Sequence, residues 1–380
     1  SRGTSYDAVR SALKVLKGDQ PMKKSIRESQ WKERPDRTVG VDLGDRFSHY
    51  CVLNRDGEVM EEGRVRTNEE ALRRHWEGEA RQRMVLESGT HSPWVYRLLQ
   101  ELGHQVIVAN ARKVRAIWEN ESKNDRQDAE MLAQLGYSNP RLLSPIQHRS
   151  VERQRDLNLL RARDALVRAR TMLINSVRGL VKSAGRRLPA CAADSFAAKV
   201  IPALPAELRT ATTPLVEQIT ALTVQVKRLD LEIENLVQRY PEIGILRTAP
   251  GVGPIVSAAY VLTLDRADAI AHSRSVGAFL GLRPKQSQSG DSDPEHKISK
   301  TGNIYLRRLL VQAAHHILGR FGPDSALRRW GLKLAVGGKR AKKRAVVAVA
   351  RKLAVILHRM WRTGQNYQPF PEATAVAGVA

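Results

Sequence analysis

The chain has 380 residues, with 63 Lys and Arg against 39 Asp and Glu, a formal charge of +24. That surplus repels itself and calls for a polyanionic partner, nucleic acid before any other. Two cysteines, Cys51 and Cys191, exclude a disulfide framework and a zinc-ligand cluster and point to a reducing cytosol, and no apolar run approaches the length of a membrane span.

Residues 1–36 are polar, begin without methionine and carry no signal-peptide pattern, so they are set apart as an unassigned N-terminal extension. Residues 38–66 read as three strands. The first is the apolar Thr38-Val39-Gly40-Val41-Asp42-Leu43, and the next two are joined by the hairpin signal Asn54-Arg55-Asp56-Gly57. A helix is expected from Asn68 to about Gly78, a strand over Met84–Glu87, a helix over Pro93–Leu102 and a strand over Gln105–Ala109. Two further helices are expected around Ala111–Glu119 and Asp125–Leu135. Three antiparallel strands followed by alternating helices and strands define an α/β domain over 37–148, in the order of the ribonuclease-H-like fold.

Residues 149–240 read as a helical coiled-coil arm. Its first helix, 149–182, has apolar positions at Leu159, Leu166, Leu173, Val177 and Leu180. Its polar face is rich in arginine: Arg149, Arg153, Arg155, Arg161, Arg163, Arg168, Arg170 and Arg178. Arg161, Arg163, Arg168 and Arg170 are the candidates for nucleic-acid contact. Gly185, Pro189, Pro202 and Pro205 suggest a connecting loop or tip over 183–211. Beyond it, Leu215, Ile219, Leu222, Val226, Leu229, Ile233 and Leu236 alternate steps of four and three, a coiled-coil seam that suits either an internal hairpin or an oligomer contact. A mostly helical C-terminal domain spans 241–370, ending in a basic helix over about Lys339–Trp361, and residues 371–380 form a tail.

The chemistry resides first in four carboxylates. Asp42 ends the first strand, Glu87 ends the fourth, and Asp125 and Asp128 share one face at a helix start. In a ribonuclease-H-like fold these ends converge. Four crowded carboxylates need cations between them, and Mg2+ is the hard, oxygen-seeking ion suited to a two-metal phosphodiester displacement. Taken singly, each acid also suits a surface charge or a cap, and Asp125 could be an N-cap. The segment Val39–Gly44 also resembles the first phosphate loop of an actin-like ATPase, but no second phosphate loop or glycine-rich adenosine segment follows.

Ala249-Pro250-Gly251-Val252-Gly253-Pro254 resembles the turn of a helix-hairpin-helix, and equally suits a tight turn between packed helices. Further on, Gly281-Leu282-Arg283-Pro284-Lys285-Gln286-Ser287-Gln288-Ser289-Gly290 leads to His296-Lys297-Ile298-Ser299-Lys300-Thr301-Gly302-Asn303 and a helix carrying Arg307 and Arg308. A polar, glycine-bearing loop flanked by Lys285, Lys297, Lys300, Arg307 and Arg308 suits a nucleic-acid backbone. By composition alone a serine in that loop is an ordinary loop residue.

Together these motifs resemble one family across residues 37–370, the DEDD transposases of the IS110 type, bridge-RNA-guided insertion-sequence recombinases related to the Piv DNA invertases. The family's acids fall on Asp42, Glu87, Asp125 and Asp128, the last pair within Lys123-Asn124-Asp125-Arg126-Gln127-Asp128-Ala129. The C-terminal signature is similar to Ala249–Pro254, Phe279–Pro284, and Ser299–Gly302 with Leu306-Arg307-Arg308. The resemblance implies a RuvC-like catalytic domain, a coiled-coil arm and a C-terminal transposase domain whose nucleophilic serine aligns with Ser289, with Ser287 and Ser292 close by. It implies Mg2+ on the four acids, serine attack from another subunit, and donor and target DNA chosen by pairing to a noncoding bridge RNA. The expected protein is a bacterial, cytoplasmic, nucleoid-associated homo-oligomer, a dimer or tetramer, that transposes or recombines DNA and has no membrane partner. Two alternatives are a RuvC-like metal-dependent junction nuclease without a serine nucleophile and a non-enzymatic nucleic-acid-binding protein.

Overall fold

The computed structural model describes residues 35–111, 124–285 and 296–371, and the chain divides into two units, 1–149 and 150–380. The expected helix around Ala111–Glu119 falls almost wholly outside the described residues.

In the first unit, β1 (Thr38–Asp42), β2 (Phe47–Leu53) and β3 (Val59–Arg66) are followed by α1 (Glu69–Trp76), β4 (Arg83–Glu87), α2 (Ser92–Glu101), β5 (Gln105–Ala109) and α3 (Asp125–Ser138). The five strands form one sheet in the order β3-β2-β1-β4-β5. β1–β2 and β2–β3 pair antiparallel, whereas β1–β4 and β4–β5 pair parallel. The hairpin turn forms as its sequence directs: Asn54 Oδ1 accepts from the N–H groups of Asp56 and Glu58, each at 2.9 Å, and Gly57 takes a φ of +87°.

Strand alternation divides the core. Val39, Val41, Met84 and Leu86 face Leu72, Trp76, Val95 and Leu99 of α1 and α2, while Val85, Ile107 and Ala109 face Met131 and Leu132 of α3. On that second face the helix rests on backbone. A Cβ at Gly40 would lie 2.0 Å from the Ala129 carbonyl oxygen, and one at Gly136 would lie 2.3 Å from Val85 Cγ2. The buried Arg83 secures the far end of α3, donating from Nη1 to the Gly136 carbonyl at 3.0 Å and from Nε to Gln105 Oε1 at 2.8 Å. α3 therefore has little freedom to slide along the sheet.

The described part of the second unit is mostly helical: α4 (Val151–Ser183), α5 (Phe196–Val200), α6 (Arg209–Arg239), α7 (Pro241–Arg247), α8 (Pro254–Leu264), α9 (Val276–Phe279), α10 (Ile304–Leu318), α11 (Ala326–Leu334) and α12 (Lys339–Thr363). A mixed α/β unit followed by a mostly helical one is the arrangement expected. Leu157, Leu160, Ile233 and Leu236 at the base of the α4–α6 pair share a core with Tyr260, Leu310, Val349 and Leu353. At that base the buried Asp156 accepts from Tyr240 Oη at 2.7 Å and from Arg239 Nη1 at 2.9 Å, so its charge is compensated.

Two expectations for the arm need correction. The seam of α6 does bury Ile219, Val226, Ile233 and Leu236, but Leu215, Leu222 and Leu229 are only half-buried. Val216 and Thr223, one residue later, are the buried positions. Thr223 is polar, yet it is satisfied there: its hydroxyl donates to the Ile219 carbonyl at 2.7 Å and accepts from Arg170. Residues 183–211 are also more than a loop. Short helical turns and α5 bring Phe196, Val200 and Leu204 against Val177, Val181, Val216 and Ile219, giving the tip its own apolar core.

Candidate active site

β1 and β4 run parallel, with Val41 beside Leu86, so Asp42 and Glu87 follow one step later at the same sheet edge. Alternation puts both on the face that carries α3, because Gly40 and Val85 are its contact points. α3 begins at that edge. Its N-cap is Asn124, whose side chain accepts from the Arg126 N–H at 3.1 Å. Asp125 is therefore not the cap but the first residue of the helix. Arg126 turns outward to an ion pair with Glu62 on β3.

The result is a cluster in which Asp42, Asp125 and Asp128 each offer one oxygen within 4.8 Å of the others. Glu87 flanks this trio on the neighbouring strand but is not among the three mutually close oxygens. A donor set of carboxylate oxygens alone, without thiolate or imidazole, fits a hard divalent cation. One neighbour escaped the sequence reading. His49 pairs across the sheet with Asp42, and its Nδ1 lies 3.8 Å from Asp125 Oδ2. Counting back along β2 from the hairpin was the available signal. On the same strand Cys51 is buried, which with Glu62 nearby pushes its thiol up to about 11, so it stays an inert packing residue.

Ser289, with Ser287 and Ser292, lies outside the described residues, and the described segments on either side of them meet at a neck. Pro284 and Ile298 form an antiparallel bridge, and the Lys285 N–H donates to the Lys297 carbonyl at 3.0 Å. Gly281 and Gly302, both at positive φ, let the two limbs touch backbone to backbone: a Cβ on either would lie 2.0 Å from a carbonyl oxygen. Lys285, Lys297 and Lys300 are exposed around this neck. Arg307 is a brace, with Nη1 donating to the carbonyls of Leu280 at 2.9 Å and Thr301 at 3.2 Å.

The arm arginines divide in the same way. Arg161 is exposed. Arg168 and Arg308 share Asp164, both at the surface. Arg163 is largely covered and paired with Asp230. Arg170 is buried, with Nη1 2.6 Å from Asp194 Oδ1 and 3.1 Å from Thr223 Oγ1. It holds the tip to the arm, and its expected role as a phosphate contact is withdrawn, because the guanidinium is almost wholly covered and already paired.

Comparison with known proteins identifies the class. Residues 39–185 match the DEDD transposases of the IS110 type, and residues 244–330 match the transposase IS116/IS110/IS902 family. The transposase for insertion sequence element IS1111A of Coxiella burnetii is 26% identical, over 87% of this chain and 91% of its own length. A probable family 20 transposase of Pseudomonas aeruginosa is 30% identical, over 72% of this chain and 82% of its own. The transposase for insertion sequence element IS1328 of Yersinia enterocolitica is 29% identical, over 84% and 94% respectively.

The protein is thus a transposase, an enzyme of DNA recombination. It belongs to the IS110/IS116/IS902 family, in agreement with the sequence resemblance. The non-enzymatic alternative is set aside, and DNA is its partner. No helix among the described residues is long and apolar enough to cross a membrane.

Proposed function

We propose that this transposase cuts and rejoins DNA at a RuvC-like carboxylate site with Ser289 as nucleophile. The observation that carries the reading is the trio of oxygens from Asp42, Asp125 and Asp128 within 4.8 Å of one another at the carboxyl edge of a β3-β2-β1-β4-β5 sheet. These residues, with Glu87 beside them, would hold Mg2+. When bound, the cation supplies positive charge against the scissile phosphate. Ser289 Oγ forms a bond to phosphorus as the bond to the leaving DNA oxygen breaks. The serine proton is lost and the leaving oxygen gains one, so a phosphoserine link conserves the energy for rejoining. His49, beside Asp125, helps to orient that carboxylate.

Lys285, Lys297 and Lys300 at the loop neck, and Arg161, Arg168 and Arg308 on the arm side, would hold phosphates. Sequence choice by a noncoding bridge RNA fits a protein rich in backbone-seeking cations. A dimer or tetramer in the bacterial cytoplasm would let one subunit's serine serve another's carboxylates.

The test is a denaturing gel with labelled DNA spanning an end of the insertion sequence. A protease-sensitive slow band is expected with the unaltered protein and none with Ser289→Ala. If the band persists in Ser289→Ala, a neighbouring serine is the nucleophile. Metal-dependent cleavage with no such band in any variant overturns the serine reading in favour of a junction nuclease using water.

A further inference from the structure

Residues 325–371 contain twelve Lys and Arg and no Asp or Glu. The amino end of α12 concentrates them, with Lys339, Arg340, Lys342, Lys343 and Arg344 all exposed. Packing of α12 begins only at Ala345 and Val346. The first six residues, about 9 Å of helix at 1.5 Å per residue, thus bury no side chain fully.

This end breaks the usual rules for starting a helix. Its cap is Gly338 at φ +98°, no side chain caps it, and its first turn has no acid. Cations here oppose the helix dipole. Among the described residues Lys339, Arg340, Lys342 and Lys343 have no ion-pair partner. An end built this way is unfavourable alone and favourable against a polyanion.

The kind of polyanion can be narrowed. An anionic membrane suits a helix with a free apolar face, but Val346, Val349, Leu353 and Leu357 are spent in the core. Single strands are held by stacking on aromatic rings, and no Phe, Trp or Tyr occurs between Gly331 and Met360. Point charges on a rigid rod suit the regular phosphates of a double helix.

We infer that the exposed amino end of α12 is a docking surface for the phosphate backbone of double-stranded DNA. The surface requires neither the carboxylates nor Ser289, so binding is measured in the Asp42→Asn background, where failure of the catalytic reading cannot disturb it.

The experiment compares that protein with a version also carrying Lys339→Gln, Arg340→Gln, Lys342→Gln and Lys343→Gln. Circular dichroism and melting show that both are folded. Anisotropy of a short labelled DNA duplex, an RNA hairpin, a single-stranded oligonucleotide and phosphatidylserine vesicles is followed against salt. Four lost contacts should flatten the log–log salt slope for a duplex by about 3.6 units, shrinking the loss of affinity between ~50 and ~200 mM salt roughly 150-fold. The DNA duplex is the expected occupant, and an effect confined to the RNA hairpin overturns the inference. Amide hydrogen exchange of residues 339–344 should slow when that duplex is added to the protein with α12 intact. An unchanged slope for both duplexes, unprotected amides, or an effect confined to single strands or vesicles overturns the inference.

Discussion

Gly40 and Ala129 meet so closely that a single methyl group cannot be placed between them: a Cβ on Gly40 would lie 2.0 Å from the Ala129 carbonyl oxygen and 2.4 Å from the Ala133 nitrogen. Gly40 stands two residues before Asp42, and Ala129 directly follows Asp128. The contact thus sets the spacing of the carboxylates. Gly40→Ala should destabilise the first unit by about 1–3 kcal/mol through overpacking, with α3 pushed off the sheet. Denaturant unfolding gives the first quantity. Loss of recombination exceeding the loss of folded protein gives the second, and a stable, fully active Gly40→Ala would disprove the spacer role.

The carboxylate trio should respond to divalent cations as a unit. MgCl2 or MnCl2 near ten times the dissociation constant stabilises by about 1.4 kcal/mol, a melting shift of a few degrees. Asp42→Asn, Asp125→Asn and Asp128→Asn should each abolish that shift along with recombination, and Glu87→Gln should abolish recombination. The double variant Asp42→Asn, Asp128→Asn should be no worse than either alone, since groups acting together are not additive. Near-normal recombination in two of the four single variants would remove the site.

Arg170 separates architecture from recognition. Arg170→Ala leaves the arm's tip without its link to Asp194 and Thr223, and melting should fall by several degrees. The salt dependence of nucleic-acid binding should not move. Arg161→Ala should do the opposite, leaving the melt unchanged and flattening the slope by about one unit.

Acid should weaken the first unit in a definite window. Burial, with Arg97 and Arg149 adding repulsion, lowers the pKa of His148 to about 4 from 6.5. The folded protein therefore holds this ring neutral where the unfolded chain protonates it. Its stabilising effect is complete above pH 6.5 and is lost as the pH falls toward 4. The loss is bounded by roughly 3 kcal/mol, less to the extent that solvent reaches the ring. His104 and His358, both lowered by burial, act in the same direction in their own units. His148→Phe, which keeps the edge-on packing against Tyr96, should flatten part of the pH dependence of unfolding. An identical pH profile would show that His148 is solvated.

Much of this was legible in the sequence because its causes are local. The Asn54–Gly57 turn, the alternation of β1 and β4 and the Asp125/Asp128 spacing all act within a few residues. What escaped depends on distant partners. Thr223 reads as a surface residue until Arg170 is placed opposite it. Arg307 reads as a phosphate contact until the carbonyls of Leu280 and Thr301 are seen to face it. Phe196, Val200 and Leu204 lack helical length, and only the walls of the arm give them somewhere to be buried. Asn124 displaced Asp125 as the cap because either side chain can cap a helix start, and the hydrogen bond to Arg126 decides between them.

The trio also fixes when a growing chain can bring its carboxylates together. Asp42 emerges with the first strand, but Asp125 and Asp128 arrive with the last helix of the unit, and that helix must then close over Gly40. A polypeptide that stops before residue 125 has Asp42 and Glu87 on neighbouring strands and no cluster. On the proposed reading such truncated products would lack the carboxylate site, because the cluster exists only with α3 docked on the sheet.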